Sequence, residues 1–204
     1  ITRDEFGPLK YYTQDFQRGQ YTDDTILSKA LAESLVEVGN FSIFDIAKRQ
    51  VAEYTKRLGP DGTVFGGFGK TTTDAFKRLL ADVSPLESGV IGGPGNAPAM
   101  KMAPLGLFMA TRDVYGDEYK EGLRWAELIG EITHLDPRSV VSGIVQAHAV
   151  YTVLRDCSRD EFIDSCFDVC KRYERPVSAL FPLWQKGSLY DRLRWIQDHK
   201  DIST

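Results

Sequence analysis

No run of apolar residues in this 204-residue chain is long enough to cross a bilayer, and its start, Ile1-Thr2-Arg3-Asp4-Glu5, does not read as a secretion signal. Both features point to a cytoplasmic protein with no membrane partner. A surplus of basic residues is missing as well: 25 Lys and Arg stand against 29 Asp and Glu, a net charge of −4. Neutralising phosphates takes clustered Lys and Arg, so no nucleic-acid partner is expected. Cysteine is scarce, and Cys157, Cys166 and Cys170 all fall in one late segment. An odd count in a chain of this size reads as reduced thiols. Cys166 and Cys170 share a helix face at i, i+4, but no other His or Cys completes a zinc spacing, so buried structural thiols are expected. Alternating strand patterns are almost absent.

What the chain has instead is helical periodicity. From Thr25, the residues Ile26, Leu27, Ala30, Leu31, Leu35 and Val38 fall on one stripe that ends at Gly39-Asn40. Ser42 is a suitable N-cap for a second helix with Ile43, Phe44, Ala47, Val51 and Tyr54 inward. Further helices are predicted over Thr71–Ala81, Ala99–Thr111, Glu118–Thr133 and Asp160–Tyr173, with a last one over Leu189–His199. Asp136 and Pro137 predict the N-cap and N1 of another, running to about Leu154 with Val141, Ile144, Val145 and His148 inward. The pattern predicts a single all-α domain over residues 1–204, built by helix-on-helix packing.

Chemistry concentrates in a few segments. Tyr21-Thr22-Asp23-Asp24 opens the first helix. Thr followed by two acids is ordinary helix-start chemistry, since carboxylates favour the free N–H groups and the dipole. The same residues also suit a hard cation. Neighbouring helical side chains diverge by about 100°, so Asp23 and Asp24 can address different metals, or one metal and its water, with the Thr22 hydroxyl as a third oxygen. All-oxygen ligation selects Mg²⁺ or Mn²⁺ over zinc.

Gly66-Gly67-Phe68-Gly69-Lys70-Thr71-Thr72 is not a P-loop, because Val64 stands where that motif requires Gly. Gly92 to Asn96 can turn consecutive N–H groups toward one anion, with a helix predicted to begin near Pro98 adding its dipole. A plain surface loop would use the same glycines. His134 ends a helix where its ring can face a loop; His148 reads as a core residue and His199 as exposed.

Four segments, taken in order, resemble one family. Thr22-Asp23-Asp24, Gly67-Phe68-Gly69-Lys70-Thr71-Thr72, Gly95-Asn96-Ala97-Pro98-Ala99-Met100-Lys101-Met102-Ala103-Pro104-Leu105 and Thr133-His134 are similar to motifs of the ADP-ribosylglycohydrolases of the dinitrogenase-reductase-activating type, over residues 21–154. The resemblance implies an orthogonal multi-helix bundle. It also implies hydrolysis of the glycosidic bond between ADP-ribose and a protein or small-molecule acceptor, assisted by two Mg²⁺ or Mn²⁺ ions. Carried over, Thr22, Asp23 and Asp24 would be metal ligands, with Asp23 and Asp24 also the catalytic candidates. Gly92, Gly93, Gly95, Asn96, Ala97, Met100 and His134 would bind the substrate.

The chain departs from the family pattern at three places. The opening Gly-Asp-Ala-x-Gly motif with its following Glu is not found in Ile1–Gln20, and the closing Asp-x-Asp-Thr/Ser motif is not found in the tail that holds Asp191, Asp198 and Asp201. Lys101 replaces the usual Arg, and Ala97-Pro98 the usual Gly-Ala. These departures leave two alternatives to the hydrolase: an incomplete segment of the enzyme, or a catalytically impaired ADP-ribose-binding or structural relative.

Overall fold

The computed structural model describes residues 20–92, 95–155, 157–176 and 188–198. Among them the chain is all helix apart from turns and two isolated bridges, as the periodicity predicts. The helices are α1 (Asp23–Val38), α2 (Ile43–Thr55), α3 (Lys70–Leu80), α4 (Ala97–Met100), α5 (Ala103–Thr111), α6 (Gly116–Glu131), α7 (Pro137–Val153), α8 (Arg159–Tyr173) and α9 (Leu189–Asp198). None of them is long and apolar enough to cross a membrane.

Local signals explain the ends. Gly39 stops α1 in the left-handed region (φ 70°), which costs glycine little. Ser42 accepts a hydrogen bond from the Asp45 amide at the start of α2, Asp136 accepts one from the Arg138 amide at the start of α7, and Ser158 with Glu161 forms a capping box at α8. The single helix expected over Ala99–Thr111 is instead two, α4 and α5. Pro104 lacks an N–H, and in a continuous helix its ring would meet the Met100 carbonyl, so the chain turns at Lys101-Met102.

The predicted inner face of α2 is rotated. Ile46, Ala47, Gln50 and Tyr54 are buried with Ile43, while Phe44 is 60% exposed and Val51 only half-buried. Ile46 and Gln50 complete an i, i+3, i+4, i+7 stripe from Ile43, and Phe44 lies about 100° off it. Val38 is likewise exposed at the end of α1, and Val145 half-buried on α7.

α7 is the central helix, packed against α4, α5, α6 and α8, while α1 packs on α2 and α5. The α5–α7 crossing is tight at Gly106, where a Cβ would lie 2.5 Å from the Ala147 carbonyl oxygen and 2.7 Å from Val150 Cβ. The core combines Ile26, Leu27, Leu31 and Leu35 of α1 with Leu105, Met109, Leu123, Ala126, Ile129, Ile144 and Ala147. His148 sits in it as a satisfied residue, hydrogen-bonded to the Tyr119 hydroxyl at 2.6 Å and to the Ser165 hydroxyl at 2.9 Å. Cys170 is buried and Cys166 half-buried, both as thiols. His199 and Asp201 lie outside the described residues, as do Ile1 to Arg18 and Gly19.

Candidate active site

One cavity of about 480 Å³ gathers the starts of three helices and one inter-helix turn: Thr22, Asp23 and Asp24 from α1; Gly67, Gly69, Lys70, Thr71 and Thr72 before and at the start of α3; Gly95, Asn96, Ala97 and Met100 around α4; and His134 between α6 and α7.

The α1 corner is held by its backbone. The Asp23 amide donates to the Gly66 carbonyl at 2.7 Å, which fastens the 64–67 loop across the helix start. Gly66 and Gly67 have φ of 114° and 84°, and a Cβ at Gly67 would come within 3.1 Å of Asp23 Oδ1. Glycine is therefore required there on both conformational and steric grounds. Thr22 is the N-cap by backbone but not by side chain: its hydroxyl donates to Asp24 Oδ2 at 2.8 Å.

Asp23 is buried and Asp24 exposed. Burial first, and then the Asp24 charge, push the Asp23 carboxyl up to about 7. Two adjacent carboxylates with this strain are a fitting donor set for a hard cation, which would relieve both the burial cost and the repulsion. With the Thr22 hydroxyl they offer three oxygens. Among the described residues there is no group of three or more His, Cys, Asp or Glu that could hold a metal.

The opposite wall is anchored to the α6–α7 junction. Val90 pairs with that junction through Val90 N to Thr133 O (3.2 Å) and Leu135 N to Val90 O (3.1 Å), and the Ser88 hydroxyl donates to Ile132 O at 2.8 Å. The Gly95 amide donates to the Ser139 hydroxyl at 3.0 Å. His134 is buried against Gly95, with Nδ1 sharing a 3.0 Å hydrogen bond with the Thr133 hydroxyl. Burial, reinforced by the charge of Lys101, pushes the His134 ring down to about 4. At neutral pH it is thus an uncharged hydrogen-bonding wall rather than a proton carrier.

The sequence candidates Thr22, Asp23, Asp24, Gly95, Asn96, Ala97, Met100 and His134 all meet in this cavity. Gly92 is not on its wall and instead backs onto the Thr71 side chain, where a Cβ would lie 2.8 Å from Oγ1. Gly93 lies outside the described residues. The helix near Pro98 is a single turn, too short to bring the dipole that a longer helix would supply. Gly67, Gly69, Lys70, Thr71 and Thr72 join the wall without being among the sequence candidates; the signal for them is the Gly-x-Gly-x-Thr-Thr pattern of their segment.

The family model described as ADP-ribosylglycohydrolase matches residues 1–201. ADP-ribosylhydrolase ARH3 of Gallus gallus is 32% identical over 155 residues, covering 71% of this chain and 38% of that protein. The Homo sapiens protein of the same name is 32% identical over 149 residues, 69% of this chain and 37% of its own length. An uncharacterized protein of Archaeoglobus fulgidus is 28% identical over 174 residues, 83% of this chain and 50% of that protein. The chain thus spans half or less of the length of these relatives.

Proposed function

The chain belongs to the ADP-ribosylglycohydrolase family, and we propose that it hydrolyses the glycosidic bond between ADP-ribose and a protein side chain or small acceptor at the cavity headed by Thr22, Asp23 and Asp24. The observation that carries this reading is the meeting of those three oxygen donors with Gly95, Asn96 and His134 in one cavity, although up to 112 positions of sequence separate them.

In this reading Thr22, Asp23 and Asp24 would hold Mg²⁺, with Mn²⁺ as a substitute. The cation's contribution would be to orient ribose oxygens and a water and to stabilise charge at the anomeric carbon. The 95–97 turn binds the diphosphate and ribose through backbone N–H groups and the Asn96 amide. Met100 and Ala97 supply an apolar floor. His134, neutral and fixed by Thr133, offers one ring nitrogen to a ribose hydroxyl.

Calorimetry of ADP-ribose binding with Mg²⁺ and with chelator tests the proposal. Micromolar binding that collapses on chelation, and in Asp23→Asn/Asp24→Asn, is the expected result. Binding indifferent to both would instead identify a metal-free reader of ADP-ribose, and no binding in any condition would leave a structural role.

A further inference from the structure

Lys101 follows Met100 at the end of α4, one residue behind the cavity wall. It is fully buried, at 0% exposure. Among the described residues its ammonium has one hydrogen bond, a 3.4 Å contact to Gln50 Oε1, and no ion pair. Gln50 is itself fully buried on α2, and among the described residues its Nε2 has no hydrogen-bond partner. This part of the core therefore holds donors in excess of acceptors. A buried ammonium is ordinarily matched by a carboxylate, because leaving it charged and unpaired in an apolar interior is costly.

On the elements around it most charged groups are already matched: Lys29 with Glu33 on α1, Asp45 with Arg49 and Glu53 with Arg57 on α2, and Glu127 and Glu131 of α6 with Arg124 and Arg175. α1 brings Asp23 and Asp24 at its start, and α2 brings Tyr54, which packs on Phe68 and Phe76. The α6–α7 junction brings His134 and the Asp136–Arg138 ion pair. Of these, His134 is the one whose ring responds to the Lys101 charge. His134 lines the cavity, and so does Met100, the residue directly before Lys101, which places the Lys101 backbone at the back of the cavity wall.

We propose that Lys101 couples binding of an anionic diphosphate ligand in the cavity to uptake of one proton at its own Nζ, and so adds a buried selector for ligand charge to a wall whose other cation, Lys70, is exposed and paired with Asp74. This rests on the ADP-ribose reading above. With the cavity empty, burial favours the neutral amine and holds its titration near 7. A diphosphate supplies the missing negative charge and draws the proton onto the amine. ADP-ribose carries a diphosphate diester whose two charges do not titrate near neutral pH, so any proton taken up must land on the protein.

Two measurements decide it. Calorimetry of ADP-ribose binding at pH 8, in buffers of different ionisation enthalpy, is expected to show uptake of roughly half a proton or more per ligand. Lys101→Arg, which is charged at every accessible pH, is expected to bind with no uptake. In ¹³C-lysine-labelled protein, the Lys101 Cε resonance is expected to titrate near neutrality and to move to higher pH with ADP-ribose. Uptake that survives in Lys101→Arg, or a resonance that titrates at the same pH with and without ligand, overturns the coupling while leaving the functional reading intact. Absence of ADP-ribose binding in the wild type removes that reading and the coupling with it. Should Lys101→Arg fail to fold, the wild-type resonance decides alone.

Discussion

Gly95 lies so close against the His134 ring that no side chain fits between them: a Cβ at position 95 would run into Nε2. The contact joins the loop before α4 to the turn after α6, and both residues line the cavity. The Ser139 hydroxyl holds the same glycine from the other side.

Gly95→Ala should therefore push either the loop or the ring out of place without unfolding the helices. We expect ADP-ribose affinity to fall about tenfold or more, corresponding to ~1.4 kcal/mol, with the circular dichroism spectrum unchanged. Calorimetry on the variant checks this, and undiminished affinity would remove the Gly95–His134 wall from the binding site.

Asp23 gives a pH dependence of stability with a defined sign. Its folded-state value of about 7 lies above the ordinary carboxyl value of 3.8, so the folded state holds the proton more tightly. Asp23's own contribution to the stability of the metal-free protein is then lost as pH rises from about 4 to about 7 and levels off above, against the opposite trend of the two buried histidines. In chelator, Asp23→Asn should be more stable than the wild type at pH 8 by roughly 1–3 kcal/mol, and by much less at pH 4. Thermal unfolding at the two pH values reads the difference. Equal melting temperatures for both proteins at pH 8 would refute the burden placed on this carboxylate.

His134 and His148 act in the opposite direction. Burial lowers both to about 4 from an ordinary 6.5, with Lys101 adding to the effect at His134. Each therefore contributes stability that is complete above pH 6.5 and is lost as pH falls toward 4. Denaturant midpoints should drop steadily over that interval, and His148→Gln should flatten the drop. Tyr119→Phe, which takes away the 2.6 Å partner of His148, should cost about 1–3 kcal/mol at pH 7.

Packing at the α5–α7 crossing is tested by Gly106→Ala. The added methyl would meet the Ala147 carbonyl and Val150, neither of which is the end of a flexible chain. A loss of ~1–3 kcal/mol is expected from overpacking, measured by chemical denaturation. A neutral effect would mean that the two helices are free to separate.

Much of the fold was legible in the residue pattern. The α1 stripe and the caps at Ser42 and Asp136 depend on neighbours two to four positions away, and local spacing records them. The errors arose where competition between elements decides. Phe44 is apolar and so reads as inward, yet Ile46 and Gln50 take the face that α1 covers. Ala99–Thr111 looked continuous because its composition is helical, and one proline ring broke it.

The site was legible as separate segments and not as a site. Hydroxyl and carboxylate chemistry at Thr22-Asp23-Asp24, and the freedom of Gly95, belong to the residues themselves. That Gly67 must be small because it covers Asp23, that Gly92 backs onto Thr71 instead of the cavity, and that Lys101 is buried beside Gln50 are consequences of chain segments far apart in sequence meeting in space. Local order records side-chain chemistry and backbone freedom. Burial, and through it the charge state of Asp23, Lys101 and His134, exists only once the helices have packed and removed water from around them.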